Sequence, residues 1–481
     1  MIQLSNIEKL EEKDIPKLVE LVKSELSKKA ELYKRYRRKE KDSEIIKGKD
    51  NLNISFEKYI IDNASGYLGG KEPTYEVQQP SDEKKRGILK KILGKVFPSE
   101  NYADEMKTII DHIVDYNDDG VENYTLVKDL LTTASCYEIL YENEENEIVY
   151  TRKDPLQTQA IWDYSVPRNL IGIVNLYEEK DINGKEVIVV ELTDSVGTRQ
   201  FKGSGSNYQE QKIDDKIKNH NWGDVPFCVA EIPDGIGLFE PVIDLIKAYE
   251  ELVQGLKETF KYNNNAKLKV TGYRPDQPLL VKNEQGELVE NQERKKEDEA
   301  LLKAPVFYTP DDGDIDWIIK AVDDGATQNT LKTYIDLIMM ITGVPQTTDL
   351  GFTKADNASA IDRKFFTLEQ VTTQAMQLLK MAYKRRWELI FGRKNIKGAK
   401  FDFRDIKITL NKNLPANENE VIDMYMKLRG LISDETIIER LPLDLDANSE
   451  STKVEEQEQE DLDKEVKKAT AMSGFNKEED K

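Results

Sequence analysis

Two glycine-rich stretches carry the residue types that bind phosphate groups. Residues 65–72, SGYLGGKE, superficially follow a phosphate-binding loop, but Ser65 stands where the first glycine belongs and Glu72 replaces the Ser or Thr that would hold magnesium. Residues 227–245 read as strand, Gly-x-Gly and helix, which is the context of a dinucleotide-binding turn. There Glu240 takes the place of the third glycine and would put a carboxylate beside a pyrophosphate. Neither stretch predicts a nucleotide site.

Histidines and paired carboxylates are the other residues that could do chemistry. The chain has two histidines, His112 and His220, which are far apart in sequence and have no cysteine or carboxylate cluster beside them. They therefore predict neither a zinc site nor a catalytic triad. Paired carboxylates such as Asp118 and Asp119 lie in turn-like sequence, where solvated loops are favoured over general acid–base pairs. We expect no catalytic residue, no metal and no cofactor.

Composition limits the possible partners. The 481 residues carry a formal net charge of −21, with 38% hydrophobic and 33% charged residues. Such a chain repels phosphate, so contact with nucleic acid must be local or weakly adhesive, and the alternative is an acidic surface with no such role. Cys136 and Cys228 are predicted to be small buried residues in a reducing compartment. No apolar run approaches the roughly 20 residues that span a bilayer, so no membrane contact is expected.

Three segments of the second half of the chain are predicted to be long helices. The first, from about residue 237 to 262, has one apolar stripe, so it is either a core helix or a rod that packs against copies of itself. The second covers residues 328–344. The third runs from Asn357, a candidate N-cap, to about Arg393, with basic residues at its end as the helix dipole favours. Residues 265–320 between the first two read as a small, highly charged α/β module.

The remaining segments predict a mixed architecture. Residues 7–46 read as helical, with a basic run at 28–42 that is either a solvated helix face or a phosphate-binding patch. Helical periodicity returns at 99–135, and residues 136–200 alternate as strands. A strand and two short helices are predicted between 401 and 442, followed by an acidic tail. The predicted fold class is α+β, mainly α-helical, with two to four structural units.

The order of these parts resembles the portal proteins, the head-to-tail connectors of tailed double-stranded DNA bacteriophages, in particular siphovirus-type portals of Gram-positive hosts. Residues 59–77, YIIDNASGYLGGKEPTYEV, resemble the family's early helix and turn. Residues 225–260 resemble its stem entry, and residues 314–352 resemble its clip exit, second stem helix and tunnel loop. Residues 428–442, LRGLISDETIIERLP, resemble its C-terminal motif. The resemblance covers about residues 50–445 in family order.

The resemblance implies a portal fold assembled as a ring, with the chain divided into named parts. These would be a wing (1–235), a first stem helix (236–264), a clip (265–322), a second stem helix (323–342), a tunnel loop (343–357), a long helix with a return strand (358–411), and a crown with an acidic tail (412–481).

The resemblance also implies a function. Usually twelve identical subunits enclose an axial channel at one capsid vertex, through which double-stranded DNA is packaged and later ejected. The implied partners are the terminase large subunit, a head-completion adaptor, and the scaffold and major capsid proteins, in a virion assembled in the host cytoplasm. Two alternatives remain: a nucleotide-dependent DNA enzyme, which would need the phosphate loop that is missing here, and another head or minor capsid protein without a channel.

Three groups of residues follow from the resemblance as candidate sites. The helix break at Gly343 and Pro345 would let a polar loop project into the channel and face DNA, unless it is an ordinary surface turn; its residues are Gln346, Thr347, Thr348, Asp349, Phe352, Thr353, Lys354 and Asn357, with Phe352 between neighbouring loops. The clip contact for terminase or adaptor, or else a solvated loop, comprises Glu287, Glu293, Arg294, Lys295, Lys296 and Glu297. Stem packing between subunits is assigned to Phe239, Ile243, Ile246, Tyr249, Val253, Tyr334 and Ile338.

Overall fold

The structure of the chain, a computed structural model, describes residues 2–7, 9–37, 54–78, 102–180, 186–213, 218–271, 276–303, 313–346, 358–396 and 401–413, together with Lys427, Lys453 and Lys464. The described residues fall into two compact units. The larger unit takes those up to Arg37, from Glu57 to Pro241 and from Met339 onward. The smaller unit takes those from Val242 to Ile338 and the short stretch before Glu57.

Helices predominate over strands in the described residues, and the predicted α+β class is confirmed. The helices are α1 (Ile15–Arg37), α2 (Phe56–Gly69), α3 (Tyr102–Tyr116), α4 (Asp119–Thr133), α5 (Ile243–Asn264), α6 (Gln292–Lys303), α7 (Asp324–Thr342) and α8 (Ala358–Ile396). The strands are β1 (Ile2–Gln3), β2 (Thr74–Val77), β3 (Ser135–Glu142), β4 (Ile148–Lys153), β5 (Thr158–Trp162), β6 (Leu170–Lys180), β7 (Glu186–Thr193), β8 (Thr198–Ser204), β9 (Asn207–Gln211), β10 (Phe227–Glu231), β11 (Lys267–Thr271), β12 (Leu280–Lys282), β13 (Leu288–Glu290), β14 (Asp314–Ile318) and β15 (Ile406–Thr409).

A six-stranded sheet covered by α1 forms one core of the larger unit. Its strand order is β1-β5-β6-β7-β8-β9, with β1 parallel to β5 and the other pairs antiparallel. Ile15, Val19, Val22 and Leu26 recur at helical spacing along α1 and are buried against this sheet. The sheet side of the same cluster comprises Ile161, Val174, Leu176, Val190, Leu192, Phe201 and Tyr208.

A three-stranded sheet, β10-β3-β4, supports the long helix of the same unit. Helix α8 packs against β10, and α4 packs against β3. Cys136 and Cys228 lie on neighbouring strands of this sheet, are free and are buried, as predicted. A further pair, β2 with β15, joins the chain before α3 to the chain after α8.

The smaller unit contains α5, the part of α7 up to Ile338, and a small α/β part. The α/β part consists of α6 and two separate two-stranded sheets, β11 with β14 and β12 with β13. Among the described residues of this unit, the buried apolar side chains are Val242, Ile246 and Ile338. The side chains that the structure describes in this unit therefore bury little apolar surface within a single chain.

The helix predicted to begin near residue 236 begins later, at Ile243. A 3₁₀ turn at Glu240–Val242 precedes it, and the Glu240 carboxylate accepts a hydrogen bond from the Gly237 amide (3.0 Å). The Leu238 amide bonds instead to the Leu131 carbonyl (2.8 Å). These bonds hold residues 237–240 outside the helix. The short helices predicted after residue 413 and the acidic tail lie outside the described residues, Lys427, Lys453 and Lys464 apart.

Candidate loop and assembly surfaces

The chain leaving α7 lies directly against α8. Gly343 has a φ of +71°, and a Cβ added there would come within 2.7–2.8 Å of backbone atoms of Leu368. The next residue, Val344, is buried, and the Tyr59 hydroxyl donates a hydrogen bond to the Pro345 carbonyl (3.2 Å). Because both the dihedral angle and the close approach exclude a side chain, only glycine fits at position 343.

The first turns of α8 are anchored on α2. The rings of Phe365 and Tyr67 stack with their centroids 4.3 Å apart. Glu369 of α8 accepts hydrogen bonds from the Tyr67 hydroxyl and from Lys412. Burial acts to raise the pKa of Glu369, but the bonds from Lys412 and Tyr67 outweigh it and lower that pKa below its ordinary value. Both ends of the segment between α7 and α8 are thus tied to α2.

The predicted tunnel-loop residues lie almost entirely between these two anchors. Gln346 is half-buried at the first anchor. The others lie outside the described residues, and the channel-facing role of the whole group stays a prediction; they are Thr347, Thr348, Asp349, Phe352, Thr353, Lys354 and Asn357.

A fully buried arginine joins α8 to the body of the larger unit. Arg386 donates from Nε and Nη2 to the two carboxylate oxygens of Glu138 on β3 (2.8 and 2.6 Å). Its Nη1 donates to Asp119 at the start of α4 (2.6 Å) and to the hydroxyl of Tyr75 on β2 (3.0 Å). One side chain therefore connects four elements.

Aromatic rings cover the guanidinium of Arg386. Its central carbon lies 4.1 Å from the ring centroid of Tyr150 and 4.3 Å from that of Tyr383. Burial opposes the charge on Arg386, but the attraction of Glu138 and Asp119 outweighs it and raises the pKa of the guanidinium well above its ordinary value. The arginine is therefore charged at every accessible pH.

Sequence reasoning missed this role, because it assigned the basic residues at the end of the third helix to the helix dipole. Arg386 is buried against carboxylates, and Arg393 pairs with Glu142 of β3 (3.0 Å). One signal could have found Arg386: it continues the apolar stripe of α8 at the spacing Leu379, Ala382, Arg386, which places it on the buried face.

A second polar cluster joins α1 to both sheets. The buried Lys29 ammonium donates to the Tyr137 hydroxyl (2.8 Å), the Thr158 carbonyl (3.2 Å) and the Gln159 side chain (2.9 Å). The Tyr137 hydroxyl donates onward to Glu231 (2.6 Å). Burial lowers the pKa of Lys29 to about 8, although nearby carboxylates oppose this shift.

The predicted stem-packing residues differ in burial. Phe239, Ile246 and Ile338 are buried, and Ile243, Tyr249, Val253 and Tyr334 are half-buried. On α5 the polar Glu250 and Gln254 are buried, whereas Phe260, near the C-terminal end of the helix, is 62% exposed. The ring of Phe260 is thus poorly covered within one chain.

The predicted clip-contact residues divide into exposed and internally bonded side chains. Glu287, Glu293, Lys295 and Lys296 are exposed. Arg294 pairs with Asp298 (3.0 Å) within α6, and Glu297 accepts from the Asp276 amide (3.3 Å). Arg294 and Glu297 therefore also hold the local structure together.

The described residues contain no group of His, Cys, Asp and Glu that could hold a metal ion, and none of the described helices is long and apolar enough to cross a membrane. The Gly237 amide, which a dinucleotide would need, is already bonded to Glu240. The other glycine-rich stretch, residues 65–72, forms the C-terminal end of α2 and the turn after it, whereas a phosphate loop precedes a helix.

Comparison with known proteins identifies the family. Residues 18–467 match the model of the family described as phage portal protein, SPP1 Gp6-like. No curated protein matches the chain. The family match extends over nearly the whole sequence and includes the anchored loop, α8 and the small α/β part. The chain belongs to the SPP1 Gp6-like family of phage portal proteins.

Proposed function

We propose that this chain is one subunit of a closed ring, of twelve copies, around an axial channel at one vertex of a phage capsid. Double-stranded DNA would enter and leave the capsid through that channel. Family membership makes the chain a structural component of the virion. The ring, the channel and the subunit number are parts of the proposal.

The observation that carries the ring is the apolar surface of the smaller unit. Its described residues bury few apolar side chains, and its exposed large ones include Phe260, Tyr262, Leu279, Leu280, Val281, Leu288, Val289, Trp317, Ile318, Ile319 and Val322. A two-stranded sheet with both faces open to water, such as β12 with β13, is at best marginally stable on its own. Identical neighbours would cover this surface.

A ring would also account for the half-buried residues on two different helices, α5 and α7. Head-to-tail assembly joins two unlike surfaces of each subunit, and it closes when the rotation between neighbours divides a full turn. The half-buried stripe of α5, with Tyr249 and Val253, would supply one surface in the stem. The residues of α7, including Tyr334, would supply the other.

The net charge suits passage of DNA without retention. A duplex carries one negative charge per roughly 1.7 Å of its axis, and each cation paired with phosphate would have to be released at every step. The chain has 91 Asp and Glu residues against 70 Lys and Arg, and this excess of negative charge opposes a strong attraction to phosphate. Weak adhesion is therefore compatible with continuous movement of DNA.

The loop between α7 and α8 would be the element that touches DNA. Its ends are held at Gly343, Pro345 and Phe365, so forces on the loop would be transmitted to α2 and α8. Residues 346–357 are mainly polar, which permits contact without strong binding.

The α/β part would be the docking platform for the terminase and later for the adaptor. Four of the six clip-contact side chains are exposed, and both signs of charge occur among them. Mixed charges at a contact favour specificity over affinity. Since no nucleotide site is predicted in the chain, the terminase would supply the ATP hydrolysis.

The mass and shape of the purified assembly test the proposal. Twelve copies of the 55.3 kDa chain would give about 660 kDa by native mass spectrometry, and negative-stain images should show a central opening. Purified rings should not turn over ATP. A monomer, or an assembly without an opening, would refute the ring.

A further inference from the structure

The last turn of α2 is completed by other parts of the chain. The last carbonyl groups of a helix have no partner within the helix itself. Here the Tyr67 carbonyl accepts a hydrogen bond from the Asn413 amide (2.7 Å), and the Gly69 carbonyl accepts one from the Asn123 side chain (3.1 Å). Asn123 belongs to α4, whereas Asn413 lies in the chain that leaves β15. The order of this turn therefore depends in part on the chain after β15.

Residues 411–413, which we call the exit segment, lie along the end of α2 and the turn after it. The Asn411 side chain donates to the Glu72 carbonyl (2.7 Å) and to the Thr74 hydroxyl (2.6 Å). The bond from the Asn413 amide to the end of α2 adds a third connection. The exit segment is thus fixed on α2 and on the turn that leads from α2 to β2.

The side chain of the same tyrosine holds the start of α8. The ring of Tyr67 stacks on that of Phe365 with an angle of 16° between the ring planes, and the Tyr67 hydroxyl donates to Glu369. Tyr67 and Phe365 are both buried, so their contact excludes water. The ring keeps this position only while the last turn of α2 holds the backbone of Tyr67 in place. One residue therefore contacts the exit segment through its carbonyl and α8 through its side chain.

Glu369 provides a second connection between the exit segment and α8. Its Oε1 atom accepts from the Tyr67 hydroxyl and also from the Lys412 ammonium of the exit segment. One carboxylate oxygen is thus shared by a donor of α2 and a donor of the exit segment. Groups that belong to one hydrogen-bond network are energetically coupled, since the loss of one bond changes the geometry of the other.

We propose that Tyr67 couples the exit segment to the first turns of α8, so that order in either one stabilises the other. The local opening of two segments is coupled when both depend on one residue that must stay ordered. Residues 346–357 precede α8, and residues 414–481 follow the exit segment. A change at one of these parts would therefore reach the other through the end of α2. The coupling needs only one chain, and its use during the passage of DNA would rest on the proposed function.

Hydrogen exchange of the purified full chain, followed by mass spectrometry of its peptides, tests the coupling from the side of α8. Phe365→Leu removes the ring that stacks on Tyr67, and exchange is measured at residues 406–413. We expect exchange there to become roughly threefold faster relative to α1, because the last turn of α2 loses the support of the stacked ring. Phe366→Leu is the matched control: it is the same change at the next ring, which is 59% exposed, and it should leave residues 406–413 unchanged.

The same measurement tests the coupling from the side of the exit segment. Asn411→Ala removes both side-chain bonds to the turn after α2, and neither of their acceptors belongs to α8. We expect exchange at residues 365–372 to become roughly threefold faster relative to α1, because the exit segment then holds the end of α2 less firmly. Lys407→Ala is the control: it removes an exposed ion pair between β15 and Glu76 of β2 (2.7 Å) and should leave residues 365–372 unchanged.

Both directions must respond, because a coupling free energy between two sites is reciprocal. A variant that changes exchange only within its own segment, relative to α1, would overturn the inference. An equal response to a control and to its paired variant would overturn it too, because the effect would then not pass through Tyr67. The result is independent of the proposed function: a purified chain that forms no ring would refute the ring, and its exchange rates would still decide whether the coupling exists.

Discussion

At the scale of single residues, one arginine and one glycine determine how α8 and the preceding loop are held. The guanidinium of Arg386 satisfies two buried carboxylates, Glu138 and Asp119, and it is itself fully buried. A buried pair of this kind adds little compared with an apolar substitute, but removal of one partner leaves an uncompensated charge. Gly343 acts sterically, since its backbone touches that of Leu368.

Replacement of Arg386 by alanine should lower the free energy of unfolding by about 3–5 kcal/mol, because Glu138 and Asp119 would stay buried without a cation. Urea denaturation followed by circular dichroism measures this. The control is Arg385→Ala, which removes a partly exposed pair with Asp224 and should cost less than about 1 kcal/mol. Equal stability of the two variants would contradict the assigned role.

Replacement of Gly343 by alanine should destabilise the fold by about 1–3 kcal/mol. The alanine would have to adopt a positive φ, and its Cβ would clash with the backbone of Leu368. Gly392→Ala is the matched control: it lies within α8 with nothing near its Cβ position, so alanine should stabilise by about 0.5–1 kcal/mol. Opposite shifts in the melting temperature are expected. A neutral Gly343→Ala would mean that α7 does not end against α8.

At the scale of elements, the contact of α1 with the two sheets includes a buried lysine as well as its apolar face. Lys29 bonds Tyr137 of the three-stranded sheet and Thr158 and Gln159 of the six-stranded sheet. All three acceptors are uncharged groups, and together they match the three N–H donors of the ammonium form. Burial nevertheless lowers the pKa of this amine to about 8, which makes the contact sensitive to pH.

Stability should rise with pH through the titration of Lys29. In the unfolded chain this amine keeps its proton up to a pKa near 10.5, whereas in the fold its pKa is about 8. Between these values the unfolded state binds more protons, so the free energy of unfolding gains up to about 1.4 kcal/mol per pH unit from this group. In the Lys29→Met variant, the free energy of unfolding should not show this rise when denaturation is measured from about pH 8 to about pH 10. Parallel pH profiles would contradict the assignment.

Element types could be predicted where the pattern is long and periodic. The third helical segment was predicted and is α8, along which Phe365, Leu368, Thr372, Ala375, Leu379 and Ala382 form a buried stripe. The residue at which a helix begins was less predictable. The amides of Gly237 and Leu238 bond to Glu240 and Leu131, so these residues stay outside the helix and α5 begins only at Ile243. The partners of Arg386 could not be predicted, since Glu138 and Asp119 are distant in sequence and only the packing of α8 brings them together.

At the scale of the whole molecule, the uncovered smaller unit and the anchored loop both point beyond a single chain. The proposed ring would cover the exposed apolar residues of the former, and the loop residues are mainly polar in sequence and follow one fixed end and precede another. The resemblance supplied the idea of a channel, and the family is now established. Which side chains line a channel depends on an assembly that one chain does not contain.

Replacement of residues 347–353 by a Gly-Ser segment of equal length should abolish packaging and leave the ring intact. The anchors at Gly343 and Phe365 lie outside the replaced segment, so the fold should not change. Nuclease-protected DNA per particle and ring mass are the measurements.

Serine at positions 347, 348 and 353 keeps the hydroxyl groups and is the control, which should package DNA normally. Full packaging with the Gly-Ser segment would show that the loop is an ordinary turn. Loss of the ring would show instead that the loop joins neighbouring subunits.

The burial of the two native thiols has a practical consequence for fluorescent labelling. Burial raises the pKa of both Cys136 and Cys228, so neither presents a thiolate to reagents in solution while the sheet is intact. A cysteine introduced at the exposed Ser206 would accept a single fluorophore with both native thiols in place. Modification of the native pair by a maleimide would then report the opening of the three-stranded sheet itself.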